Sequence, residues 1–292
     1  MTEPLGVCGP LSGVRVLSIA INLPGPAAVA RLASWGASVT TVLPPSGDPL
    51  EHFARAYFDE LHEGQTLERA DLKSDEGRAR LDELLAETDI FLTSSRPSAL
   101  ARLGLDHETV SGRHTHVCQV DIVGHPGDGA EIAGHDLTYQ AGTGLVRDGR
   151  MPATTVVDLA GAERAAAETA AALVERARTG RGSRREVALS DLAHAMARPV
   201  FHGLTVPGGL LGGGLPVYDV YAASEGHVAL AALEAHFTAR LLAALEISPD
   251  DLSRESLAEV FAQRTAAQWQ EWADEHDIPL AAVAPVATVA TA

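Results

Sequence analysis

The first 200 residues alternate between short apolar runs and longer segments whose apolar positions recur at helical spacing. The run VRVLSIAI at 14–21 is followed by the amphipathic AAVARLASW, which ends at Gly36, and then by ASVTTVLP. A run of branched apolar residues favours a buried strand, whereas apolar residues three or four positions apart favour a helix that covers it. This segment therefore predicts a strand, a helix and a second strand.

The same alternation continues along the chain. Ser74 stands where it can cap a helix with three leucines on one face, and the apolar runs at 89–94 and 116–124 predict further strands. The Ala-rich segment at 161–178 predicts a long helix packed closely on the sheet. Strands that alternate with helices indicate an α/β fold with a Rossmann-like parallel sheet covered on both faces.

The pattern changes after about residue 200. A glycine-rich segment is followed by a predicted hairpin with its turn at Glu225-Gly226, by an amphipathic helix, and by a helix that Thr265 and Gln268 open with a capping box. These features predict a small α+β domain. The predicted division is a large Rossmann-like domain at 1–200, a Gly-rich linker at 201–216, the small domain at 217–280 and a C-terminal tail at 281–292.

Composition narrows the choice of partners. The chain has 292 residues, 46% of them apolar, and a formal net charge of −17. Phosphate backbones require clustered cations, so we expect no nucleic acid partner. No apolar run approaches the roughly 18 residues that span a bilayer, and the first residues lack the features of a secretory signal, so we expect no membrane association and a cytoplasmic location. Two distant cysteines predict no disulfide framework.

Known cofactor motifs are missing from the chain. The turn after the first predicted strand, AINLPGPAAVARL at 20–32, lacks the G-x-G-x-x-G pattern that binds dinucleotides. The sequence also contains no Walker A lysine motif, no H-E-x-x-H and no G-x-S-x-G. We therefore predict no prosthetic group and no metal ligands.

Two side chains are candidates for proton transfer. Asp158 follows the apolar TTVV and precedes the Ala-rich helix, which predicts a carboxylate at the carboxyl edge of the sheet, held ionised by a helix N-terminus. Such a carboxylate suits a base or a nucleophile, and it also suits a plain N-cap. His135, between glycine and aspartate, fits either a catalytic imidazole or a local hydrogen-bonding residue.

Several segments, in the same order, resemble the family III CoA-transferases (CaiB/BaiF), which include the α-methylacyl-CoA racemases. The similarity extends over most of the chain, and the segments that carry it are LSGVRVLSIAINLPGPAAVARLASWGASVTTVLPPSGDP, ADLKSDEG, RPSALARLGL, TGRGSRREVALSD and PVYDVYAASEGHVALAALEAHF. Each motif alone is weakly specific, but their common order is specific. The resemblance implies the family III fold.

The resemblance also assigns roles to the site residues. An aspartate at the position of Asp158 is the carboxylate with which transferases form an acyl anhydride and then an enzyme–CoA thioester, and which racemases use as a base. Gly134-His135-Asp136 is similar to the racemase G-H-D, whose histidine is the second base. Glu234 matches a glutamate that supports the racemase site. These matches imply a racemase or epimerase that inverts a 2-methyl centre by two-base proton transfer.

The implied substrate is a coenzyme A thioester. Arg96 and Pro97 in SRP, with Lys73 nearby, match positions that hold the CoA moiety. The basic stretch that usually precedes D-L-K is replaced by LHEGQTLERADLK, and the arginine expected soon after G-D-P is missing. Fewer cations weaken phosphate binding, so a pantetheine arm on a carrier protein is an alternative source of the acyl group.

Two other functions remain open for this chain. One is a CoA transferase in which Asp158 is the nucleophile and His135 only shapes the pocket. The other is a non-catalytic relative that keeps the fold as a binding module. The resemblance further implies a homodimer of interlocked chains, although this chain ends soon after IPLAAVAPV, earlier than most relatives do.

Overall fold

The computed structural model describes residues 9–285, which form two compact units. The first unit ends at Ala197 and the second begins at Arg198. Within this described range, no helix combines the length and the apolar content needed to cross a bilayer.

The first unit is built on a six-stranded parallel sheet. Its strand order is β3-β2-β1-β4-β5-β6, and Val16 of β1 pairs with Val39 on one side and Ile90 on the other. The predicted Rossmann-like α/β sheet is confirmed. The strands are β1 (Arg15–Ser18), β2 (Ser38–Leu43), β3 (Thr66–Arg69), β4 (Ile90–Thr93), β5 (Cys118–Val123) and β6 (Arg184–Ala188).

Helices cover both faces of this sheet. One core lies between β1, β4 and β5 and the helices α1 (Pro24–Ser34) and α8 (Val156–Thr179). The other lies against α4 (Asp75–Ala86), α5 (Pro97–Leu103) and α6 (His107–Arg113). Ser74 caps α4 as predicted, since its Oγ accepts the N–H of Gly77 at 3.0 Å. The helices are α1 (Pro24–Ser34), α2 (Pro49–Phe53), α3 (Arg55–Leu61), α4 (Asp75–Ala86), α5 (Pro97–Leu103), α6 (His107–Arg113), α7 (Asp136–Gly142), α8 (Val156–Thr179) and α9 (Leu189–Met196).

Helix α8 begins earlier than the sequence pattern predicts. The β-branched TTVV is not a strand; Val156 and Val157 are the first two residues of the helix, and Asp158 lies in its first turn. Small residues bring α8 close to its neighbours. A Cβ on Gly161 would lie 2.4 Å from Leu189 of α9, and Ala162 and other alanines of α8 are fully covered.

Strand β3 is not predicted from the sequence. Its residues TLER are mostly exposed and polar because β3 is the edge strand next to β2. An exposed edge strand has no buried face to require apolar residues, so the hydrophobic pattern that reveals β1 and β4 is missing from β3.

The second unit has an antiparallel three-stranded sheet in the order β7-β8-β9. Its core includes Trp269, whose indole N–H donates to the carbonyl of Phe261 at 2.8 Å and whose ring meets Phe261 and Trp272 edge-on. The elements are α10 (Arg198–Phe201), β7 (Tyr218–Ala222), β8 (His227–Ala231), α11 (Ala235–Leu245), α12 (Arg254–Phe261), α13 (Ala266–His276) and β9 (Leu280–Ala282).

Local expectations for this unit hold. The hairpin β7–β8 turns at Glu225-Gly226, where Gly226 has a φ of +82°. Thr265 and Gln268 form the predicted capping box of α13. The predicted linker at 201–216 contains turns closed by its own backbone, such as Gly208 N–H to the carbonyl of Gly212 at 2.9 Å. Residues 281 and 282 of the predicted tail belong to β9, and residues 286–292 lie outside the described range.

Candidate active site

A cleft opens at the carboxyl ends of β1, β4 and β5. It consists of two adjoining cavities of about 250 and 110 Å³ that share eight lining residues, among them Asn22 after β1, Ser94 after β4 and Gly124 after β5. The strand order reverses between β1 and β4, and open α/β sheets bind ligands at such a switch point. The cleft is therefore the candidate active site.

The cleft brings the two predicted proton carriers together. His135 and Asp158 both line the 110 Å³ cavity, and His135 and Arg96 both line the 250 Å³ cavity. His135 is the residue before α7, and Asp158 lies in the first turn of α8. His135 and Asp158 are far apart in sequence but close in space because the first residue of α7, Asp136, is hydrogen-bonded to the first turn of α8.

The environment of Asp158 differs from the sequence-based expectation. A helix N-terminus alone would hold the carboxylate ionised. Burial, and secondarily the charge of Asp136, instead raise the pKa of Asp158 to about 7. An aspartic acid with this pKa is present in both protonation states near neutral pH, which suits a group that must both accept and return a proton.

Asp136 fixes the start of α8. Its Oδ1 accepts the N–H of Val157 at 2.8 Å and the N–H of Asp158 at 3.0 Å. The side-chain amide of Gln140 donates to Asp136 Oδ2 at 2.5 Å and to the carbonyl of Thr154 at 3.0 Å. The first turn of α8 is thus held by side chains of α7.

Tyr139 forms one wall of both cavities. It is 5% exposed, and its ring meets His125 edge-on with ring centroids 5.4 Å apart. A Cβ on Gly124 or on Gly134 would lie 2.5 or 2.4 Å from Tyr139 Oη, so these glycines leave the room that the phenol occupies. Burial, and then the charge of Asp158, raise the pKa of Tyr139.

The backbone of His135 is fixed by Thr138. The N–H of His135 donates to Thr138 Oγ1 at 3.0 Å, and Thr138 Oγ1 donates to the carbonyl of His135 at 2.7 Å. The His135 side chain itself is exposed at the cleft. Its ring can therefore meet a ligand while its backbone remains in place.

Lys73 lines a neighbouring cavity of about 230 Å³ with largely apolar walls. This cavity shares Ile21 with the smaller cavity of the cleft and Ser95 with the larger one. Within residues 9–285, neither the Lys73 ammonium nor the Arg96 guanidinium forms an ion pair. The Lys73 ammonium is therefore available to an anionic ligand, whereas the charge of Arg96, after the hydrogen bonds from Ser98, also contributes to the lowered pKa of Glu131.

The other two predicted site residues belong to other elements of the chain. Pro97 is the first residue of α5 and lines a different cavity, together with Asp121 and Arg184. Glu234 is the exposed residue before α11, in the second unit. The roles that the resemblance implies for Pro97 and Glu234 stay predictions.

The sequence assigned no role to three buried residues of α7, namely Tyr139, which lines the cleft, and Asp136 and Gln140, which lie beneath it. They occupy positions i, i+3 and i+4 of α7 and form its buried face. A helix whose buried face carries an aspartate and a glutamine is unusual, since buried polar groups need partners. That spacing is the signal that could have identified them.

Comparison with known proteins identifies the family. A model of CoA-transferase family III matches residues 11–292. The chain therefore belongs to this family, and the resemblance seen in the sequence is confirmed. A crystallographic CaiB/BaiF family protein from Brucella suis shares the fold, with a TM-score of 0.80, 22% identity, and coverage of 95% of this chain and 85% of that one.

Curated relatives catalyse different reactions. The chain is 33% identical over 203 residues to cinnamoyl-CoA:phenyllactate CoA-transferase of Clostridium sporogenes, covering 62% of this chain and 49% of the transferase. It is 30% identical over 310 residues to α-methylacyl-CoA racemase of Mus musculus, covering 95% of this chain and 78% of the racemase. The chain thus spans about half of the transferase, and the family includes both racemases and transferases.

Proposed function

We propose that this chain is an acyl-CoA racemase or epimerase that inverts the carbon next to a thioester carbonyl. The observation that carries the proposal is that His135 and Asp158 line one cavity while the pKa of Asp158 is about 7. Inversion requires one group to remove a proton and another to deliver one from the opposite side. The cleft offers one carboxyl and one imidazole for these tasks.

The reaction balances with these two groups. Asp158, as carboxylate, takes the α-proton, and the electron pair of the C–H bond moves to form an enolate with its charge on the thioester oxygen. His135, as imidazolium, then donates a proton to the other face of the α-carbon while the C=O bond re-forms. Afterwards Asp158 is protonated and His135 is neutral, which is the state required for the reverse direction.

The enolate oxygen needs a hydrogen-bond donor. We assign this task to Tyr139, whose hydroxyl lies at the cleft and forms no hydrogen bond with another residue among 9–285. A donor already in place stabilises developing charge more effectively than water, which must reorient. The high pKa of Tyr139 keeps the phenol protonated and able to donate.

We assign part of the CoA moiety to the cavity of Lys73. Its largely apolar walls, which include Leu72 and Leu103, suit the pantetheine chain or the adenine, and Lys73 and Arg96 supply positive charge for phosphates. Arg55 and Arg69 follow G-D-P, but both are paired with Glu51. Phosphate binding would therefore rest on few cations, which keeps an acyl-pantetheine on a carrier protein as the alternative donor.

A CoA transferase is the second candidate function, favoured by the 33% identity to a transferase. In that reaction Asp158 attacks the thioester carbonyl and CoA leaves as a thiolate, which gives an acyl anhydride. The thiolate then attacks the Asp158 carbonyl, which releases the first carboxylate and leaves an enzyme–CoA thioester. The acceptor carboxylate repeats these two steps in reverse, so that CoA leaves on the acceptor and Asp158 is freed as a carboxylate. The nucleophile must be ionised for the first step. A base must be ionised too, so the pKa of about 7 fits both reactions, and the observation that favours the racemase is that His135 lines the same cavity as Asp158. The degenerate, non-catalytic form is the third candidate.

We further propose that the active form is a homodimer. Apolar side chains are exposed on the single chain, namely Ile132, which lines the cleft, at 60%, Leu137 at 40% and Met151 at 76%. Exposed apolar side chains close together in sequence are typical of an interface. Light scattering that gives the mass of one chain at micromolar concentration would contradict the dimer.

The test of the main proposal is α-hydrogen exchange. Each enantiomer of a 2-methylacyl-CoA is incubated in D₂O, and deuterium at the α-carbon is measured by mass spectrometry. We expect the wild type to exchange both enantiomers, and Asp158→Asn and His135→Gln each to abolish inversion while retaining exchange of opposite enantiomers. Asp106→Asn, which removes a carboxylate outside the cleft, is the control and should behave as wild type.

Two results would overturn this proposal. No exchange by the wild type, together with acyl-CoA-dependent inactivation by hydroxylamine at Asp158, would establish the transferase. No exchange, no inactivation and no shift of the melting temperature by thioester ligands would leave the non-catalytic form.

A further inference from the structure

Asp136 is connected to both proposed proton carriers. It follows His135 in the chain, and its Oδ1 accepts the backbone N–H of Asp158 at 3.0 Å as well as that of Val157. Its side chain is almost fully buried, with 4% exposed. A buried carboxylate that accepts hydrogen bonds from the backbone of a second carboxylic acid has both a geometric and an electrostatic effect on it.

We propose that Asp136 is a positioning residue whose buried carboxylate, bonded to the first turn of α8, fixes the spacing of His135 and Asp158 and places a negative charge beside the Asp158 carboxyl. This inference rests on the proposed function for its catalytic consequence. The effect of Asp136 on the Asp158 carboxyl does not depend on that function and can be measured without substrate.

The electrostatic effect follows from which N–H groups Asp136 occupies. The first turn of a helix normally presents its free N–H groups to nearby anions and stabilises them. Here the N–H groups of Val157 and Asp158 point to Asp136 and are not free for another anion. Asp136 also adds a negative charge beside Asp158, which opposes its ionisation.

The geometric effect depends on Gln140. Its amide joins Asp136 Oδ2 to the carbonyl of Thr154, in the segment that leads into α8. The Asp136 carboxylate is therefore held from both sides, and the start of α7 and the start of α8 move together. His135 at the start of α7 and Asp158 at the start of α8 therefore keep a constant distance from each other.

Few other titratable groups face Asp158. His135 and Tyr139 line its cavity. Among the helices packed on the first turns of α8, the Arg31 side chain of α1 is paired with Glu163, and the charged side chains of α9, Asp191 and His194, are exposed. Among the neighbouring charges, Asp136 is accordingly the one whose removal should change the pKa of Asp158 most.

The experiment uses Asp136→Asn in the full chain. Asparagine keeps Oδ1 as an acceptor for both N–H groups and removes the charge, although its NH2 group can no longer accept the hydrogen bond from Gln140. The protein is labelled with ¹³Cγ-aspartate, and the Asp158 carboxyl is titrated by NMR, its signal being assigned by its loss in Asp158→Asn. We expect the pKa of Asp158 to fall by roughly half a unit or more while remaining above the ordinary value, because burial persists.

A matched control separates this effect from helix capping in general. Asp106 caps α6 through the N–H of Thr109 at 3.0 Å, in another part of the first unit. Asp106→Asn should lower the melting temperature without moving the Asp158 titration. If both variants leave the Asp158 titration unchanged, Asp136 is only a structural cap and the inference is wrong.

A second variant keeps the proposal testable if Asp136→Asn does not fold. Asp136→Glu retains the charge but displaces the oxygens, so the pKa of Asp158 should stay well above the ordinary value while the rate of α-hydrogen exchange falls at least about tenfold. A pKa of Asp158 in the ordinary range in this variant would overturn the inference. If the wild type shows no exchange at all, the proposed function fails, but the titration still decides the effect of Asp136 on Asp158.

Discussion

The carboxylate of Asp48 accepts the backbone N–H of Asn22, with each carboxylate oxygen 3.1 Å from the nitrogen. Asn22 has a left-handed backbone, with a φ of +67°, and lines both cavities of the cleft. Asp48 is completely buried and also accepts the N–H of Leu50 as the cap of α2. The aspartate of the G-D-P segment thus shapes the turn that forms one wall of the cleft.

We expect Asp48→Ala to destabilise the first unit by about 1–3 kcal/mol, because two partly buried N–H groups lose their acceptor. Asp106→Ala removes an aspartate cap whose residue is only partly buried and should cost less. Urea unfolding followed by far-ultraviolet circular dichroism measures both. Equal losses for the two variants would show that burial at Asp48 adds nothing to an ordinary cap.

The contact between Gly124 and Tyr139 can be tested by a rescue. A Cβ on Gly124 would lie 2.5 Å from Tyr139 Oη, but its next nearest contacts are at 3.5 and 3.6 Å. Gly124→Ala alone should therefore be destabilising by roughly 1–3 kcal/mol, and Tyr139→Phe should restore most of that loss. Gly142→Ala, where a Cβ meets nothing within 4 Å, is the control and should be neutral or slightly stabilising. Additive losses in the double variant would contradict the contact.

The pKa of Asp158 predicts how stability depends on pH. Between the ordinary value of 3.8 and about 7, the folded chain holds a proton on Asp158 that the unfolded chain has released. The free energy of unfolding should therefore fall with rising pH in this window, by up to about 1.4 kcal/mol per pH unit from this group.

Asp158→Asn removes this contribution. We expect the variant to match the wild type near pH 4 and to be more stable above pH 7, where the wild type must bury a charge. Denaturant unfolding at several pH values measures the difference. A difference that stays constant from pH 4 to pH 8 would show that Asp158 titrates normally.

Lys73 distinguishes the two sources of the acyl group. Lys73→Gln should raise KM for an acyl-CoA about tenfold or more, since a charge-assisted contact to phosphate is lost, and should leave KM for the matching acyl-pantetheine unchanged. Arg164→Gln, which replaces an exposed side chain of α8, is the control and should leave both KM values unchanged. Equal KM values for the two thioesters in the wild type would indicate that the phosphates are not bound.

Local patterns were sufficient to predict much of the large unit. Strands such as β1 and β4 are buried on both faces, and the amphipathic α4 has its own cap. The pattern that predicts each of these elements therefore lies within one continuous segment of the sequence. The exposed edge strand β3 has no such pattern. Its pairing with β2 depends on a neighbour in space, which the sequence of β3 alone does not reveal.

The candidate site shows the same division. His135 and Asp158 could be singled out from short motifs, but the direction of the pKa shift at Asp158 could not. It depends on burial, and on Asp136, which lies 22 positions away in sequence yet bonds to the Asp158 backbone. The early start of α8 has the same origin, since TTVV favours an extended chain until a side chain from α7 caps it.

The aromatic cluster around Trp269 decides which optical signal reports on which part of the molecule. The chain has three tryptophans, and two of them, Trp269 and Trp272, lie in the core of the second unit, whereas Trp35 alone belongs to the first. Intrinsic tryptophan fluorescence will therefore report mainly on the unfolding of the second unit and only weakly on unfolding around the cleft. Backbone amide exchange or a fluorophore attached to the first unit would be needed to see the cleft-bearing part unfold separately.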